Sequence, residues 1–473
     1  MRYVNAVVLC LLMLLSASAF AQTSPPASQP STSTTAPIAR DFPPGLQIPD
    51  AARPGPHFDA DKATEAYLNL LSPEQRKSSD AYFEGGYWLQ LWEFLIGIAI
   101  GIFLLVSGIS VRMRDFARRF GPWPWVATAI YVLIWLIVDT LLDLPWDYYT
   151  GFVREHQYGL STQDAGGWLW DSAKGLMIAA IILPLVFSLL YAVVRKLGAR
   201  WWIWASIGSF VLSLAIQMAL PVFLAPVFND YHPLPEGQVR DAVLSLARAN
   251  RIPTENVEWF DASKQTTRVS ANVAGFLNTT QVSLNDNLVN KTSLPEIKAV
   301  LGHEMGHYVL NHGLRLTIYL SLVTALGLFF VHRLLDWSLA RWGTKLKLEG
   351  RDDPAALPLA VIAFSIFMFL ATPVNNMIVH QAEAEADAFG LNAAREPNGF
   401  AMSAMRLSTY RKLRPGPLEE IIFYDHPSGY TRVHNAMLWL AENQDNPTAN
   451  ARIAPPLAPL KFADKLNEPT TGH

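Results

Sequence analysis

Charged residues and cysteines are scarce in this 473-residue sequence: 16% of the residues are charged and Cys10 is the only cysteine. A single cysteine excludes a disulfide framework and a cysteine-based zinc site, so a metal would have to be held by histidines and carboxylates. The formal net charge of −3 gives no support to a nucleic-acid partner. Hydrophobic residues, by contrast, make up 51% of the chain, which is high for a soluble protein of this size.

The two ends of the chain have the composition of targeting and linker segments. A basic start, an apolar run over 4–15 and Ala-Phe-Ala at 19–21 predict a signal peptide in residues 1–21, with an uncleaved signal anchor as the alternative. Residues 22–59 are rich in Pro, Ser, Thr and Ala, and are predicted to be a disordered tether. The tail, residues 443–473, has a similar composition and is predicted to be flexible.

Between these ends lie apolar runs long enough to cross a lipid bilayer. They cover residues 94–111, 123–138, 176–194, 201–228, 316–331 and 357–379. Four spans fall in a first region, 60–228, and two, at about 316–335 and 357–379, interrupt a second region, 229–442. The predicted fold is therefore mainly α, a multi-pass transmembrane helix bundle. A small β-sheet is predicted from short strands at 257–260, 271–277 and 281–284, and its edge could bind an extended peptide.

Basic residues concentrate in the short loops after the first, third and fifth spans. They are Arg112, Arg114, Arg118, Arg119, Arg195, Lys196, Arg200, Arg333, Arg341, Lys345, Lys347 and Arg351. Such loops stay in the cytoplasm, so the polar segments 229–313 and 380–442 are predicted to share the opposite side. Together with the signal-like start, this pattern predicts a bacterial inner-membrane protein whose polar segments are periplasmic.

A metal-binding motif, His-Glu-Met-Gly-His, occupies residues 303–307. Ser293 and Glu296 form a capping-box pattern just upstream, which predicts that the motif lies within a helix. Histidines four residues apart share one helix face, so His303 and His307 can bind one zinc ion. Glu304 lies beside them and can take a proton from a water molecule activated by the metal. The alternative is a chance pair of surface histidines.

A catalytic zinc site needs a third protein ligand and an open position. Glu383 is the best candidate, because it lies in an acidic stretch that continues helically from the last span. Asp387 is one turn later on the same face and can accept an N–H from a ligand histidine. Glu385 falls on nearly the opposite face. The alternative is a solvated acidic helix face; beside the HExxH motif, the pattern favours one zinc ion per chain.

These motifs resemble those of the type 1 CAAX prenyl proteases, integral membrane zinc metalloproteases of the gluzincin group. The resemblance covers about residues 58–441. It rests on Phe-Val-Arg-Glu at 152–155 with Tyr-Gly at 158–159, Ala-Pro-Val-Phe-Asn at 225–229, Pro-Leu-Pro-Glu-Gly at 233–237, the HExxH, Glu-x-x-Ala-Asp at 383–387, and His426-Pro with Arg432.

This resemblance implies a ring of membrane helices around a water-filled chamber, with the zinc site at one end. It implies hydrolysis of peptide bonds near a substrate's C-terminus or in membrane-associated proteins. It also implies that His426 and Arg432 line the site and stabilise the tetrahedral oxyanion. From composition alone, a His-Pro pair in a loop is more often structural and Arg432 could be a surface helix residue.

Two short motifs depart from the pattern of that family. Val379 and His380 stand where it often has Ser-Arg, and Ser270-Ala271 stands where it often has Asn-Ala. These differences affect the expected alignment of substrate more than the expected catalysis. In addition, eukaryotic members face their zinc site to the cytosol, opposite to the side predicted here from the basic loops.

Three functions are compatible with these observations. The first is a zinc metalloendopeptidase in the lipid bilayer that acts on peptides or membrane proteins. The second is a catalytically silent membrane chaperone or binding protein of the same fold, which the complete set of site residues disfavours. The third is a transporter that uses carboxylates in its spans, for which Glu93, Asp139 and Asp143 are candidates.

Overall fold

The structure is a computed structural model and describes residues 42–43, 45–275 and 280–444. The predicted signal peptide, and all but the first two residues of the predicted tail, lie outside these ranges. Within the described residues the chain is mainly helical, with one four-stranded sheet, which confirms the predicted fold class. The chamber implied by the resemblance stays a prediction.

The first region consists of helices only. The longer ones are α1 (Ala60–Leu68), α2 (Pro73–Val106), α3 (Ile109–Phe120), α4 (Pro124–Tyr148), α5 (Ala165–Leu197) and α6 (Trp201–Ala219), and α6 continues through a π-helical turn, Leu220–Leu224, into a short helix, Ala225–Phe228. Helix α2 begins at a capping box, in which Ser72 and Gln75 exchange side-chain and backbone hydrogen bonds. After α4 the helical path continues through a π-helical turn, Tyr149–Val153, to Gln157.

Five segments of the described chain are long and apolar enough to cross a membrane. They are Pro73–Val106, Pro124–Gln157, Ala165–Phe228, His312–Trp342 and Pro354–Ala394. The third contains both α5 and α6, separated by a break at Gly198–Arg200. At 1.5 Å per residue these helices are about 50 Å and about 29 Å long, against a hydrocarbon core of about 30 Å. The third segment therefore supplies two of the six predicted spans.

The outer surface of α5 shows why these helices need lipid. Ile181, Leu185 and Leu189 lie four residues apart and are 68%, 64% and 69% exposed. Residues at this spacing form one stripe along a helix, and an exposed stripe of large aliphatic side chains is unfavourable in water. Lipid chains cover such a surface without that cost.

The second region adds eight helices and the sheet. The helices are α7 (Gln238–Ala249), α8 (Asp286–Lys291), α9 (Leu294–Val309), α10 (His312–Leu346), α11 (Leu357–Ala394), α12 (Pro397–Leu407), α13 (Pro417–Phe423) and α14 (Gly429–Asn443). The long helices α10 and α11 are membrane spans, and α11 extends past the apolar run into the polar part of this region. The HExxH motif therefore lies on α9, directly before a span, and Glu383 lies on α11, directly after one.

The sheet has the strand order β1-β2-β4-β3. Its strands are β1 (Tyr231–Pro233), β2 (Asn256–Phe260), β3 (Ala271–Ala274) and β4 (Gln281–Asn285). The β2–β4 pair is parallel and the other two pairs are antiparallel. Three strands match the predicted ones, whereas β1 was not predicted because three residues ending in proline give no alternating pattern. Val282 and Leu284 of β4 are fully buried in one core with Met305 of α9.

The C-terminal end of the predicted tether differs from the expectation of disorder. Within residues 45–59, Leu46 and Ala52 are buried in a core shared with α1, α12 and α14. Arg406 of α12 donates hydrogen bonds to three backbone carbonyls, those of Phe42, Pro43 and Gly45. A proline-rich backbone leaves its carbonyls free to accept such bonds, and a distant arginine that uses them cannot be recognised from local composition.

Candidate metal centre

Three predicted ligands converge between α9 and α11. His303 Nε2 lies 3.2 Å from Glu383 Oε2, and His307 Nε2 lies 3.4 Å from Glu383 Oε1. The two Nε2 atoms are 3.1 Å apart. Ligands bound to a tetrahedral zinc at about 2.0–2.1 Å are separated from one another by about 3.3 Å. The three donors are thus spaced as one zinc ion requires.

The surroundings of Glu383 also fit a cation. Its side chain is buried, and among the described residues no aligned hydrogen-bond donor serves its Oε2 atom. A buried carboxylate oxygen without an aligned hydrogen bond is unfavourable unless positive charge lies close; Arg432 Nη2 lies 3.5 Å away, and a metal ion between the histidines would supply further charge. Two imidazoles and one carboxylate are also the ligand set of catalytic zinc sites that keep a fourth position open.

Small residues allow α9 and α11 to approach closely enough to bring the ligands together. A Cβ atom added at Gly302 would lie 3.0 Å from the carbonyl oxygen of Gly390, and one added at Gly390 would lie 2.8 Å from the backbone nitrogen of His303. Gly306 packs in the same way against Ala386. Sequence reasoning missed this contact, although small residues recur four apart on both helices, as Gly302/Gly306 and Ala386/Gly390.

The start of α9 is fixed by a buried ion pair. Glu296 Oε2 accepts a hydrogen bond of 2.7 Å from the backbone nitrogen of Ser293, as the capping-box pattern predicts. Its other oxygen, Oε1, accepts a bond of 2.5 Å from Arg406 Nε. Both charged side chains are buried. The helix that carries both histidines is therefore held at its first turn by a residue of α12.

Asp387 lies beside His303, one of the predicted ligands. His303 Nδ1 is 2.7 Å from Asp387 Oδ1, so this N–H can donate to the carboxylate and leave Nε2 for the metal. Arg432 Nε donates to the other carboxylate oxygen at 2.8 Å. The Nη2 atom of Arg432 lies 3.5 Å from Glu383 Oε2. Arg432 thus contacts the ligand sphere through Asp387, an interaction that its sequence position alone does not reveal.

His426 points its imidazole into the same cluster. Its Nε2 atom is 3.2 Å from Glu383 Oε2, and its Nδ1 atom is 2.7 Å from Asp425 Oδ1. The carboxylate of Asp425 accepts from Nδ1 and so fixes the orientation of the ring. Sequence reasoning did not single out Asp425, although it directly precedes the His-Pro pair.

Glu304 opens onto a pocket beside the ligands. Burial raises the pKa of its carboxyl group, and the nearby charges of His303 and His307 act in the opposite direction. The pocket is lined on its other sides mainly by residues before β3 and on α12. These include Val269, Ser270, Ala271, Phe400, Leu407 and Arg411. Glu304, His303 and the start of a sheet strand thus line one cavity.

The carboxylates considered for a transporter lie elsewhere. Asp139 and Asp143 are buried on one face of α4, and Glu93 is half-buried on α2. None of them belongs to the His303, His307 and Glu383 group, which is the group of possible metal ligands found in the described chain.

The fold and this centre together define a membrane-embedded metallopeptidase. Comparison with known proteins agrees: residues 58–230 match the family described as CAAX prenyl protease N-terminal, five membrane helices, and residues 233–439 match peptidase family M48. The chain belongs to peptidase family M48.

Relatives and a solved structure extend this assignment. The chain is 30% identical to the uncharacterized metalloprotease YhfN of Bacillus subtilis over 386 residues, which are 80% of this chain and 89% of the relative. It is 27% identical to CAAX prenyl protease 1 of Saccharomyces cerevisiae over 65% of this chain and 71% of the relative. The crystal structure of S. mikatae Ste24p has the same fold, with a TM-score of 0.64 at 21% identity, covering 92% of this chain and 97% of that one.

Proposed function

We propose that this protein is a zinc metalloendopeptidase that hydrolyses peptide bonds in membrane-associated proteins or peptides, with Glu304 as the general base. The observation that carries the proposal is the spacing of His303, His307 and Glu383, which matches a single zinc ion, beside a pocket that Glu304 enters. A bound zinc ion would act as a Lewis acid and lower the pKa of a water molecule to about 7.

The protein's own groups then divide the work of hydrolysis. Glu304 accepts the proton of the attacking water and later delivers it to the leaving amine. His426, whose Nδ1 atom lies 2.7 Å from Asp425 Oδ1, donates from Nε2 to the oxyanion that develops on the scissile carbonyl. Arg432 holds Asp387, which in turn orients His303.

The substrate is proposed to lie along β3. This strand pairs with β4 on one side, and the residue just before it, Ser270, and its first residue, Ala271, line the pocket. An extended peptide can add to a sheet edge through main-chain hydrogen bonds, which suits an enzyme that accepts varied sequences. Relatives are named CAAX prenyl proteases, and the apolar membrane segments of this chain favour substrates that are themselves membrane-bound.

Zinc content and activity test the proposal together. Purified protein is expected to hold about one zinc ion per chain. Glu304→Gln should keep the fold and the zinc yet lose peptidase activity by at least about 10³-fold, because no base remains to activate the water. His426→Ala should lose about 10²–10³-fold, as for one oxyanion donor. Wild-type rates in Glu304→Gln would exclude this mechanism, and a zinc-loaded wild type without peptidase activity would favour the silent binding protein.

We also propose that the metal centre faces the periplasm of a bacterial inner membrane. The basic loops support this orientation, and so does the N-terminal segment, which packs on α12 and α14 of the peptidase region before α2 enters the membrane. With Cys10→Ser in the background, a cysteine replacing exposed Glu255 should react with an impermeant thiol reagent in intact spheroplasts. A cysteine replacing exposed Thr344 should react only after permeabilisation, and the reverse pattern would place the centre in the cytosol.

A further inference from the structure

The second ligand histidine has a hydrogen-bond partner outside the predicted site. His307 Nδ1 lies 2.9 Å from Nδ1 of His312, the first residue of α10. Between the two helices Asn311 adopts a left-handed conformation, φ 55°, which turns the chain so that His312 folds back onto His307. The His312 side chain is 1% exposed, so water does not compete for this contact.

The hydrogen bonds can run in only one direction if His307 binds a metal. His307 Nε2 faces the cluster, so a neutral His307 carries its proton on Nδ1 and donates it. His312 Nδ1 must then accept, which places the proton of His312 on its Nε2. That atom lies 3.3 Å from Glu385 Oε2, and the carboxylate accepts.

Glu385 is fixed in turn by two donors. Arg315 Nη2 donates to its Oε2 at 2.6 Å, and Gln381 Nε2 donates to its Oε1 at 2.9 Å. Arg315 and His312 lie one turn apart on α10, whereas Gln381 and Glu385 lie one turn apart on α11. The series therefore ties the end of α9 to the two membrane helices on either side of it.

We propose that His312 and Glu385 are positioning residues, which hold His307 in the tautomer and orientation that metal binding requires. The proposal rests on the proposed function, in which His307 is a zinc ligand. Each of the two histidines then has a hydrogen-bond partner on the ring nitrogen that faces away from the metal. His303 contacts Asp387 directly, and His307 is connected to Glu385 through His312. Outer partners of this kind typically change metal affinity or activity 10–100-fold when removed.

The hydrogen-bonded series His307–His312–Glu385 is called the relay below. The zinc affinity of the purified full-length protein, measured by competition with a zinc chelator, tests the relay without relying on activity. His312→Leu fills the space but cannot accept from His307, and should weaken zinc binding about 10–100-fold. His312→Asn places an amide oxygen near the position of Nδ1 and should retain most of the affinity. Glu385→Ala should show an intermediate loss, because it removes the acceptor of the His312 proton.

A matched control is available on the same helix. His332 of α10 is also buried, but it lies beside Trp201 and Asp336 and not at the metal centre. His332→Leu measures the general cost of removing a buried histidine from α10. It should leave zinc affinity unchanged, and the thermal midpoints of the chelator-treated His332→Leu and His312→Leu proteins should be similar.

Three results would overturn the relay. The first is an unchanged zinc affinity in His312→Leu. The second is an equal loss of zinc affinity in His312→Leu and His312→Asn. The third is a loss of zinc affinity in the control His332→Leu as large as that in His312→Leu. If His312→Leu does not fold, Glu385→Ala decides: a clear loss of affinity supports the relay, and wild-type affinity contradicts it. His307→Ala distinguishes failure of the proposed function from failure of the relay. If His307→Ala still binds zinc, the proposed function is contradicted. If His307→Ala loses zinc while His312→Leu keeps wild-type zinc affinity, only the relay is contradicted.

Discussion

The two helices that meet at the metal centre are anchored by different means. Helix α9 has 16 residues, lies outside the membrane spans and starts at a polar cap, where buried Glu296 pairs with Arg406. Helix α11 has 38 residues, has no side-chain cap at its start, and is an apolar membrane span before it reaches Glu383. The first is held by specific polar contacts and the second by the bilayer.

This difference shows how a membrane peptidase can build a polar site at a lipid boundary. The apolar run places α11 across the bilayer, but the rotation of the helix about its axis is set by packing against neighbouring helices. The glycine and alanine contacts with α9 contribute to that packing on the face that carries Glu383. We therefore expect substitutions that affect α9 to act by breaking the Glu296–Arg406 pair. Substitutions in α11 should act by removing Glu383 or by disturbing the contact with α9.

The largest effect should come from the single ligand on α11. Glu383→Gln keeps the shape but replaces a charged ligand with a neutral amide, so zinc content should fall from about one per chain to a small fraction. Glu396→Gln is the matched control, because Glu396 is also buried but pairs with Lys298 at 3.2 Å. Metal analysis after dialysis measures both. A zinc content of about one per chain in Glu383→Gln would show that Glu383 of α11 is not a metal ligand, and α9 and α11 would then not meet at a shared metal site.

The next effect should come from the anchor of α9. Arg406→Met leaves Glu296 as a buried unpaired charge, which typically costs about 3–5 kcal/mol. The loss should appear as a lower thermal unfolding midpoint, and hydrogen exchange should rise in α9 more than in α11. Arg414→Met is the control, because Arg414 pairs with Glu65 on the surface, where a pair contributes about 0–1 kcal/mol.

A double variant tests the cause of that loss. If the unpaired charge is responsible, Arg406→Met combined with Glu296→Gln should recover much of the stability, because the amide needs no counter-charge. No recovery would mean that the bonds from Arg406 to the carbonyls of the N-terminal segment matter more than the cap of α9.

The features that the sequence predicts well are those written into local spacing. The HExxH helix with its capping box, the membrane spans and three of the four strands all depend on residues within a few positions of each other. The Glu296–Arg406 pair and the His307–His312–Glu385 series could not be predicted in this way. Glu296 and Arg406 are 110 positions apart, and His312 and Glu385 are 73 positions apart. No periodicity in the sequence links partners at such separations. The docked N-terminal segment was missed for the same reason.

The smallest of these effects should come from the packing face of α11. In a helix interior, alanine is favoured over glycine by about 0.5–1 kcal/mol, so Gly390→Ala would stabilise a free helix. Here the new Cβ would lie 2.8 Å from the backbone nitrogen of His303, and backbone cannot yield as a flexible side chain can. We expect a net destabilisation of about 1–3 kcal/mol and weaker zinc binding, as α9 is pushed from α11. Gly416→Ala, which meets nothing within 4 Å at φ −71°, should do neither. A Gly390→Ala protein as stable and as zinc-bound as wild type would show that the close contact with α9 does not orient α11.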